Sequence, residues 1–248
     1  MSSSADENAA KAAREFAEKL APRWQAQLGA QLLGIYLLGS LAHGGFSRRY
    51  SDIDMGAVTE SGLAPAALDA MRAEAADVSV ELAPKLSIFW TDRNFSLGRF
   101  PPLDRSDFLD HAVTLCERER VNPPRPGLEE VRSYLIGLPF SNWVAAVERF
   151  CNTDALDPKD RKPYLRTQLY PARFAFSFMT GRMASNDDAV SWLRGQSLPA
   201  FDVPLIERAL DIRRTAEDPD PLFADRTRLR RQVAACQSLA VECAAEEP

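Results

Sequence analysis

The sequence predicts an α/β (α+β) domain with a small mixed sheet, followed by an all-α helical-bundle domain. Three apolar runs in the first half are short enough to be buried strands: residues 33–38, 52–58 and 85–91. The segment Asn122–Gly127 then places three prolines and a glycine in six residues, a composition that stops regular structure. Beyond this segment every apolar pattern has helical spacing. We therefore expect two domains, at residues 1–122 and 123–248.

Helices are predicted wherever apolar residues recur every three or four positions. In the first domain this spacing predicts helices at 5–29, 65–76 and 106–119, and a short helix that presents Gly39 and Ser40 is also expected at 41–45. In the second domain it predicts helices at 128–138, 141–151, 163–180, 187–193, 204–214 and 225–245. No strand pattern follows residue 122, so the second domain is expected to be helical throughout.

The chain of 248 residues has the composition of a soluble globular protein, with 46% hydrophobic and 26% charged residues. No apolar run approaches the roughly twenty residues of a membrane span, and the N-terminus lacks the pattern of a secretory signal. We therefore expect a cytoplasmic protein without a membrane partner. The net charge of −5 argues against a general nucleic-acid binder, which is usually basic. Four scattered cysteines and two histidines do not suggest a zinc site, so free thiols are expected.

The segment Asp52-Ile53-Asp54-Met55 opens the second predicted strand with carboxylates at alternate positions. Side chains alternate across a strand, so Asp52 and Asp54 are expected on the same face and close together. Like charges held close together repel each other, and a divalent cation with oxygen ligands would offset them. Mg²⁺ shared with substrate phosphates is the usual choice. The other interpretation is a surface hairpin whose aspartates are merely solvated.

The first predicted strand ends in Leu38-Gly39-Ser40, and eleven residues separate Ser40 from Asp52. A glycine lets the backbone approach a phosphate closely, and the amides of a turn that enters a helix favour an anion. Metal-binding carboxylates that face such a turn are the parts required for phosphoryl or nucleotidyl transfer. The combination favours a functional site over a solvated hairpin.

These residues resemble the signature of the polymerase-beta-like nucleotidyltransferases. That signature is an apolar residue, Gly-Ser, a short spacer, and Asp-x-Asp between apolar neighbours, and Leu38, Gly39, Ser40, Asp52 and Asp54 fill its main places. The resemblance implies that Asp52 and Asp54 bind Mg²⁺ and act in catalysis. It also implies that Gly39 and Ser40 bind a nucleoside triphosphate.

The second half contains a further pattern. The predicted helix 163–180 carries Arg173, ends in a Thr-Gly-basic sequence, and is followed after a polar turn by a short helix with Trp192. This half resembles the helical domain of aminoglycoside adenylyltransferases of the streptomycin and spectinomycin type. The resemblance implies transfer of AMP from ATP to a hydroxyl of a small molecule, an aminoglycoside being the first candidate, with antibiotic resistance as the result. It also implies that Arg173 binds the nucleotide.

Two positions depart from the resembling enzymes. Their third carboxylate, which completes the metal site or acts as base, corresponds to Ser87 here. A serine cannot accept a proton at neutral pH without help, and it adds no charge to a metal site. The lysine that reaches the phosphates in those enzymes corresponds to Asn186. Glu81 and Asp92 flank the third predicted strand and are expected to lie in solvent rather than in the site.

These departures leave three functions open. The first is a Mg²⁺-dependent nucleotidyltransferase that uses ATP and a small-molecule acceptor. The second is a nucleotide-binding regulatory protein with weak or no transferase activity, and the third is a nucleotidyltransferase that modifies a partner protein. Additional positive charge for the phosphates would come from Lys162 or Arg166. Weak candidates for contact with the acceptor are also in the second domain: Asp154, Asp157, Asp160 and Trp143.

Overall fold

The structure, a computed structural model, describes residues 4–245 and contains two units, at residues 4–125 and 126–245. In the first unit helices and strands alternate. Its helices are α1 (Ser4–Leu28), α2 (Gly39–His43), α3 (Pro65–Val78) and α4 (Pro102–His111). Its strands are β1 (Leu32–Leu38), β2 (Ile53–Thr59), β3 (Leu86–Asp92) and β4 (Val113–Glu117). The three predicted strands are confirmed, with each end shifted by no more than one residue.

The four strands form one mixed sheet in the order β3-β2-β1-β4. β1 pairs antiparallel with both β2 and β4, whereas β2 and β3 run parallel. The predicted small mixed sheet is therefore confirmed. All seven residues of β1 are buried, because this central strand is covered on both faces. A strand buried on both faces requires a continuous run of apolar residues rather than an alternating pattern.

Helices cover both faces of this sheet. On one face, α1 and α3 pack against the apolar side chains of β2 in a single cluster. The indole N–H of Trp24 donates a hydrogen bond to Met71 O at 3.1 Å and joins α1 to α3. On the other face, Leu38 of β1 belongs to a second cluster with Phe108 of α4. The sheet is thus held between two layers, and its ends remain available for polar residues.

The predicted helix at 106–119 is wrong in its second half. The helix α4 begins earlier, at Pro102, whose fixed φ suits a first helical turn, and it ends at His111. Residues 113–117 instead form β4 on the edge of the sheet beside β1. The run Val-Thr-Leu-Cys-Glu is short, and its apolar residues fit either a helix or a strand. Its two β-branched residues and the pairing with β1 decide for the strand.

Every element that the structure describes within residues 126–245 is helical. The helices are α5 (Leu128–Ile136), α6 (Leu138–Cys151), α7 (Arg161–Thr180), α8 (Asn186–Arg194), α9 (Val203–Thr215), α10 (Asp220–Phe223) and α11 (Leu229–Ala245). α7 is central, because α5, α6, α8, α9 and α11 all contact it. The sequence pattern does not predict the short α10, and α11 begins four residues later than predicted. Within residues 4–245 no helix has both the length and the apolarity to cross a membrane.

Stacked aromatic rings fill the space between α6 and α7. Trp143 stacks on Tyr170 with ring centroids 4.6 Å apart, and Phe174 continues the stack. The indole N–H of Trp143 donates a hydrogen bond to Thr167 O at 3.0 Å, and the side chain is almost fully buried. Trp143 is therefore a core residue in this structure, and its contact with an acceptor molecule stays a prediction.

Candidate active site

The end of β1 and the start of β2 lie side by side. Leu38 is the register partner of Asp54 in this antiparallel pair, so the chain leaves β1 at Gly39 directly beside Asp54. Gly39 has φ +57°, and a Cβ at this position would overlap Asp54 Oδ2. Any other residue would be strained at this φ and would have to displace the Asp54 carboxylate. The structure therefore brings the Gly-Ser turn and the Asp-x-Asp motif together.

The two aspartates keep the alternation that the sequence predicts. β2 begins at Ile53, and Asp52 immediately precedes it. Ile53 and Met55 are fully buried in the cluster under α1 and α3, whereas Asp52 and Asp54 are half-buried. Because successive side chains of a strand point to opposite faces, Asp54 lies on the face opposite Ile53 and Met55. This alternation keeps the carboxylates out of the apolar core.

Ser87 is the register neighbour of Asp54 across the parallel pair of β2 and β3. Neighbours of this kind project from the same face, roughly 5 Å apart. The position that the family resemblance assigns to a third carboxylate is therefore next to Asp54, and an uncharged hydroxyl occupies it. Aligning the third apolar run with the family pattern therefore identified a residue that is adjacent to Asp54 in the sheet.

The two other carboxylates near β3 lie away from this position. Glu81 is exposed before β3 begins, as predicted. Asp92 is the partner of Thr59 at the far end of the strand pair, and it is 5% exposed. Its carboxylate accepts hydrogen bonds from Ser96 N at 2.7 Å, Ser96 Oγ at 2.8 Å and Leu97 N at 2.8 Å. The prediction that Asp92 lies in solvent is wrong, because it holds the turn after β3.

Replacing Asp92 with alanine should lower the free energy of unfolding at neutral pH by about 3 kcal/mol, since a hydrogen bond to a charged group contributes about 1.5–3 kcal/mol. Burial alone would raise the pKa of Asp92, but the hydrogen bonds from Leu97 and Ser96 hold this pKa below its ordinary value. A lowered pKa stabilises the fold above the unfolded-state pKa of about 3.9, and this contribution is lost as the pH falls through the folded-state pKa. Urea unfolding should therefore show a difference in the free energy of unfolding between wild type and Asp92→Ala, and this difference should become smaller at acidic pH. This role would be contradicted if the difference in free energy of unfolding did not change with pH. It would also be contradicted if the exposed control Asp77→Ala lost as much stability as Asp92→Ala.

Asp52 and Asp54 suit a magnesium ion whose coordination is completed by substrate. Within residues 4–245, no three His, Cys, Asp or Glu side chains lie close enough together to hold a metal. Mg²⁺ is usually held by one or two carboxylates together with substrate phosphates and water, whereas structural Zn²⁺ takes about four protein ligands. A pair of carboxylates is thus a donor set that suits Mg²⁺ better than structural Zn²⁺.

The four cysteines are free thiols, as predicted. Burial raises the pKa of the thiols of Cys116, Cys151 and Cys236. A thiol with a raised pKa stays protonated at neutral pH and is a poor nucleophile and metal ligand.

The second unit contains the helix pair that the aminoglycoside resemblance predicts. Arg173 is half-buried on α7, with Nη2 3.3 Å from Met183 Sδ. Gly181 follows the last residue of α7 and adopts the left-handed conformation with φ +69°. Ser185 caps the following helix α8, whose first residue is Asn186. The two helices joined by a short turn are as predicted, while a phosphate-binding role for Arg173 stays a prediction.

The remaining candidates of the second unit lie at its surface. Asp157 accepts a hydrogen bond from Lys159 N at 2.9 Å, and Asp160 pairs with Arg149 at 3.0 Å. Three further candidates are half-buried or exposed: Asp154, Lys162 and Arg166. Surface ion pairs of this kind contribute little to stability, and the roles of these residues in binding stay predictions.

Two polar residues that the motif analysis omits also join the site. Ser40 Oγ donates a hydrogen bond to Ser51 Oγ at 3.0 Å, so the Gly-Ser turn is bonded to the residue just before Asp52. Asp6 on α1 is buried, and its Oδ1 accepts a hydrogen bond from Arg48 N at 2.9 Å. A small polar residue next to Asp-x-Asp is a signal that identifies Ser51. No local pattern identifies Asp6, because only the fold brings it to the turn.

No protein-family profile matches this sequence, and no curated protein matches it. The structure does match that of a spectinomycin adenyltransferase, AAD(9) from Enterococcus faecialis, solved with ATP and spectinomycin. The match has a TM-score of 0.60 and covers 87% of this chain and 97% of that chain, at 12% sequence identity. The two chains share a fold. The adenylyltransferase-like layout is thereby confirmed, and at this identity the likeness establishes the fold alone.

Proposed function

We propose that this protein is a Mg²⁺-dependent nucleotidyltransferase that moves AMP from ATP to a hydroxyl group of a small molecule. One observation carries the proposal: Gly39 lies against Asp54 at the paired ends of β1 and β2, so a glycine turn adjoins the carboxylates. Such a turn and such carboxylates are the parts that bind a triphosphate and its metal ion. The fold shared with an enzyme that was solved with ATP supports the same reaction.

Asp52 and Asp54 would hold Mg²⁺, which when bound stabilises negative charge on the α-phosphate and lowers the pKa of the attacking hydroxyl. Gly39 leaves the backbone open to the phosphates, and Ser40 adds a hydroxyl to the same turn. The acceptor oxygen forms a bond to the α-phosphorus, and the bond from that phosphorus to the oxygen bridging the β-phosphate breaks. Pyrophosphate leaves, and the proton of the acceptor hydroxyl passes to solvent water, because an uncharged serine stands at the position of the base.

An aminoglycoside is the acceptor class that we favour. The structural neighbour is a spectinomycin adenyltransferase and was solved with spectinomycin. A net charge of −5 suits a cationic acceptor, because it raises the concentration of cations near the protein. In a cell, modification of such a drug would confer antibiotic resistance.

A nucleotide-binding regulatory protein with little transferase activity is the second candidate. It is favoured by Ser87, which the strand register places beside Asp54 where the resembling enzymes have a carboxylate. A general base typically contributes a factor of about 10² to 10⁴ to the rate. A site without that base would keep ATP and Mg²⁺ binding while its turnover falls by this factor.

Incubation of the protein with Mg²⁺, ATP labelled at the α-phosphate and a panel of aminoglycosides separates these functions. A labelled aminoglycoside with an equal amount of pyrophosphate supports the transferase. Tight Mg²⁺-dependent ATP binding without product supports the regulatory protein, and label on a protein from an added cell extract supports modification of a partner. Failure to bind ATP in the presence of Mg²⁺ refutes all three.

Replacing Gly39 with alanine should weaken Mg²⁺-dependent ATP binding by at least about tenfold. A non-glycine residue at φ +57° carries strain of about 1–3 kcal/mol, and its Cβ displaces the Asp54 carboxylate. Gly29→Ala is the matched control, because Gly29 has φ +54° but no atom within 4 Å of an added Cβ. The control should lose stability and keep its ATP affinity, as calorimetric titration measures. Equal affinity in both variants would show that the contact with Asp54 is not needed.

A further inference from the structure

The turn at residues 47–51, which leads directly into Asp52, is closed by its own hydrogen bonds. Ser51 N donates to Ser47 O, and Ser47 N donates to Ser51 Oγ, both at 2.9 Å. The two serines are 2% and 4% exposed, so water does not compete for these bonds. The position of Asp52 is therefore set by a hydrogen-bonded turn whose end residues, Ser47 and Ser51, are buried, while Arg48 and Arg49 between them are exposed.

The same oxygen of Ser51 also reaches the Gly-Ser turn. Ser51 Oγ accepts a hydrogen bond from Ser40 Oγ at 3.0 Å while it accepts the one from Ser47 N. One atom thus connects the turn at the end of β1 to the turn that leads into β2. Hydrogen bonds that share an atom form a network in which a shift of one group moves the others.

Two elements distant in the sequence hold this turn at Arg48. Asp6 Oδ1 on α1 accepts a hydrogen bond from Arg48 N at 2.9 Å, and Lys85 Nζ, just before β3, donates one to Arg48 O. Asp6 is 3% exposed. Burial of a carboxylate is costly unless hydrogen bonds or charges compensate, so an apolar residue would fit this place better if packing were its only purpose. The carboxylate of Asp6 therefore acts on the backbone of the turn.

We propose that Ser51 and Asp6 are positioning residues that couple nucleotide binding to Mg²⁺ binding. The inference rests on the proposed function, in which Gly39 and Ser40 hold the nucleotide and Asp52 holds the metal ion. Ser51 fixes the separation between Ser40 and Asp52, and Asp6 keeps the turn that carries Ser51 in place. Loss of either group loosens Asp52 relative to Ser40. ATP then still binds, but Mg²⁺ increases the affinity for ATP by a smaller factor.

The coupling is measured as the ratio of the ATP dissociation constants without and with saturating Mg²⁺, by calorimetric titration. Ser51→Ala removes at least two hydrogen bonds, those from Ser40 Oγ and Ser47 N, so this ratio should fall by about thirtyfold, which corresponds to about 2 kcal/mol. Ser79→Ala is the matched control, since Ser79 Oγ likewise accepts one backbone hydrogen bond, from Leu82 N at 3.2 Å. The control should keep the wild-type ratio. A wild-type ratio in Ser51→Ala together with a lowered melting temperature would make Ser51 purely structural and overturn its role.

Asp6 provides an independent test that remains if Ser51→Ala does not fold. Asp6→Ala should lower the ratio, and Asp6→Asn should restore most of it, because its side-chain oxygen still accepts the Arg48 amide. In the protein without nucleotide or metal, hydrogen exchange at the Arg48 amide should be about fivefold to tenfold faster in Asp6→Ala. Unchanged exchange overturns the role of Asp6. A ratio of one in the wild-type protein refutes the proposed function, whereas the exchange measurement decides separately whether Asp6 holds the turn.

Discussion

Replacement of Asp54 with asparagine should reduce nucleotidyl transfer by at least about 10³-fold. A bound metal ion contributes several kcal/mol of charge stabilisation in the transition state, and about 1.4 kcal/mol corresponds to tenfold in rate. Asparagine keeps the size of the side chain and its register beside Leu38 and Ser87, but it removes the charge that binds Mg²⁺. Calorimetry should also show that ATP binding no longer depends on Mg²⁺. Asp52→Asn should have the same two effects.

Asp77→Asn is the matched control for this experiment. Asp77 is exposed on α3, so the variant makes the same change in net charge away from the site. It should alter neither the rate of transfer nor the Mg²⁺ dependence of ATP binding. If Asp54→Asn folded with a wild-type melting temperature and kept its activity, the metal ion would have to bind elsewhere.

Replacement of Ser87 with glutamate should increase the rate of transfer by a factor of about 10² to 10⁴, the usual contribution of a general base. Ser87 is the register neighbour of Asp54, so a carboxylate here would adjoin the carboxylate pair. β3 is an edge strand, and the residues around Ser87 are only half-buried, so the longer side chain has room. Pyrophosphate release with a fixed acceptor measures the gain, and the pH dependence of the rate should acquire a new acidic limb.

Ser87→Gln is the matched control, because glutamine has the size of glutamate without its charge. It should give no gain in rate and no new limb in the pH profile. If Ser87→Glu bound ATP as the wild type does and released pyrophosphate no faster, either the proton would be accepted elsewhere or the acceptor would be wrong. The ATP affinity of both variants should also be measured, because a loss of affinity would show that the substitution had damaged the site itself.

Much of the sheet was predictable because its central strands are buried. β1 and β2 read as apolar runs bounded by Gly39 and by Asp52, and their burial makes that pattern unambiguous. β4 was not predictable from its own residues, since it lies on an edge with Val113 and Thr114 exposed. Its short run fits a helix equally well, and the decision depends on pairing with a strand about eighty residues earlier.

The candidate site was predictable only where its residues lie close together in the sequence. Gly39, Asp52 and Asp54 follow from local spacing, and alignment to an apolar run sufficed to find Ser87. Asp92 was misplaced because its hydrogen bonds come from a turn that sequence spacing does not reveal. Asp6 was missed because its partner, Arg48, belongs to a segment that only folding brings to α1.

The parallel pairing of β2 with the edge strand β3 also bears on how such proteins diverge. The residue beside Asp54 is supplied by a strand with a neighbour on only one side and with side chains that are half-buried. A change at Ser87 therefore disturbs little of the packing that secures β1 and β2. Under the proposed function, catalytic power could accordingly be gained or lost at one tolerant position while the Gly-Ser turn stays intact. Transferases and nucleotide sensors built on this fold would then be separated by a very short mutational path.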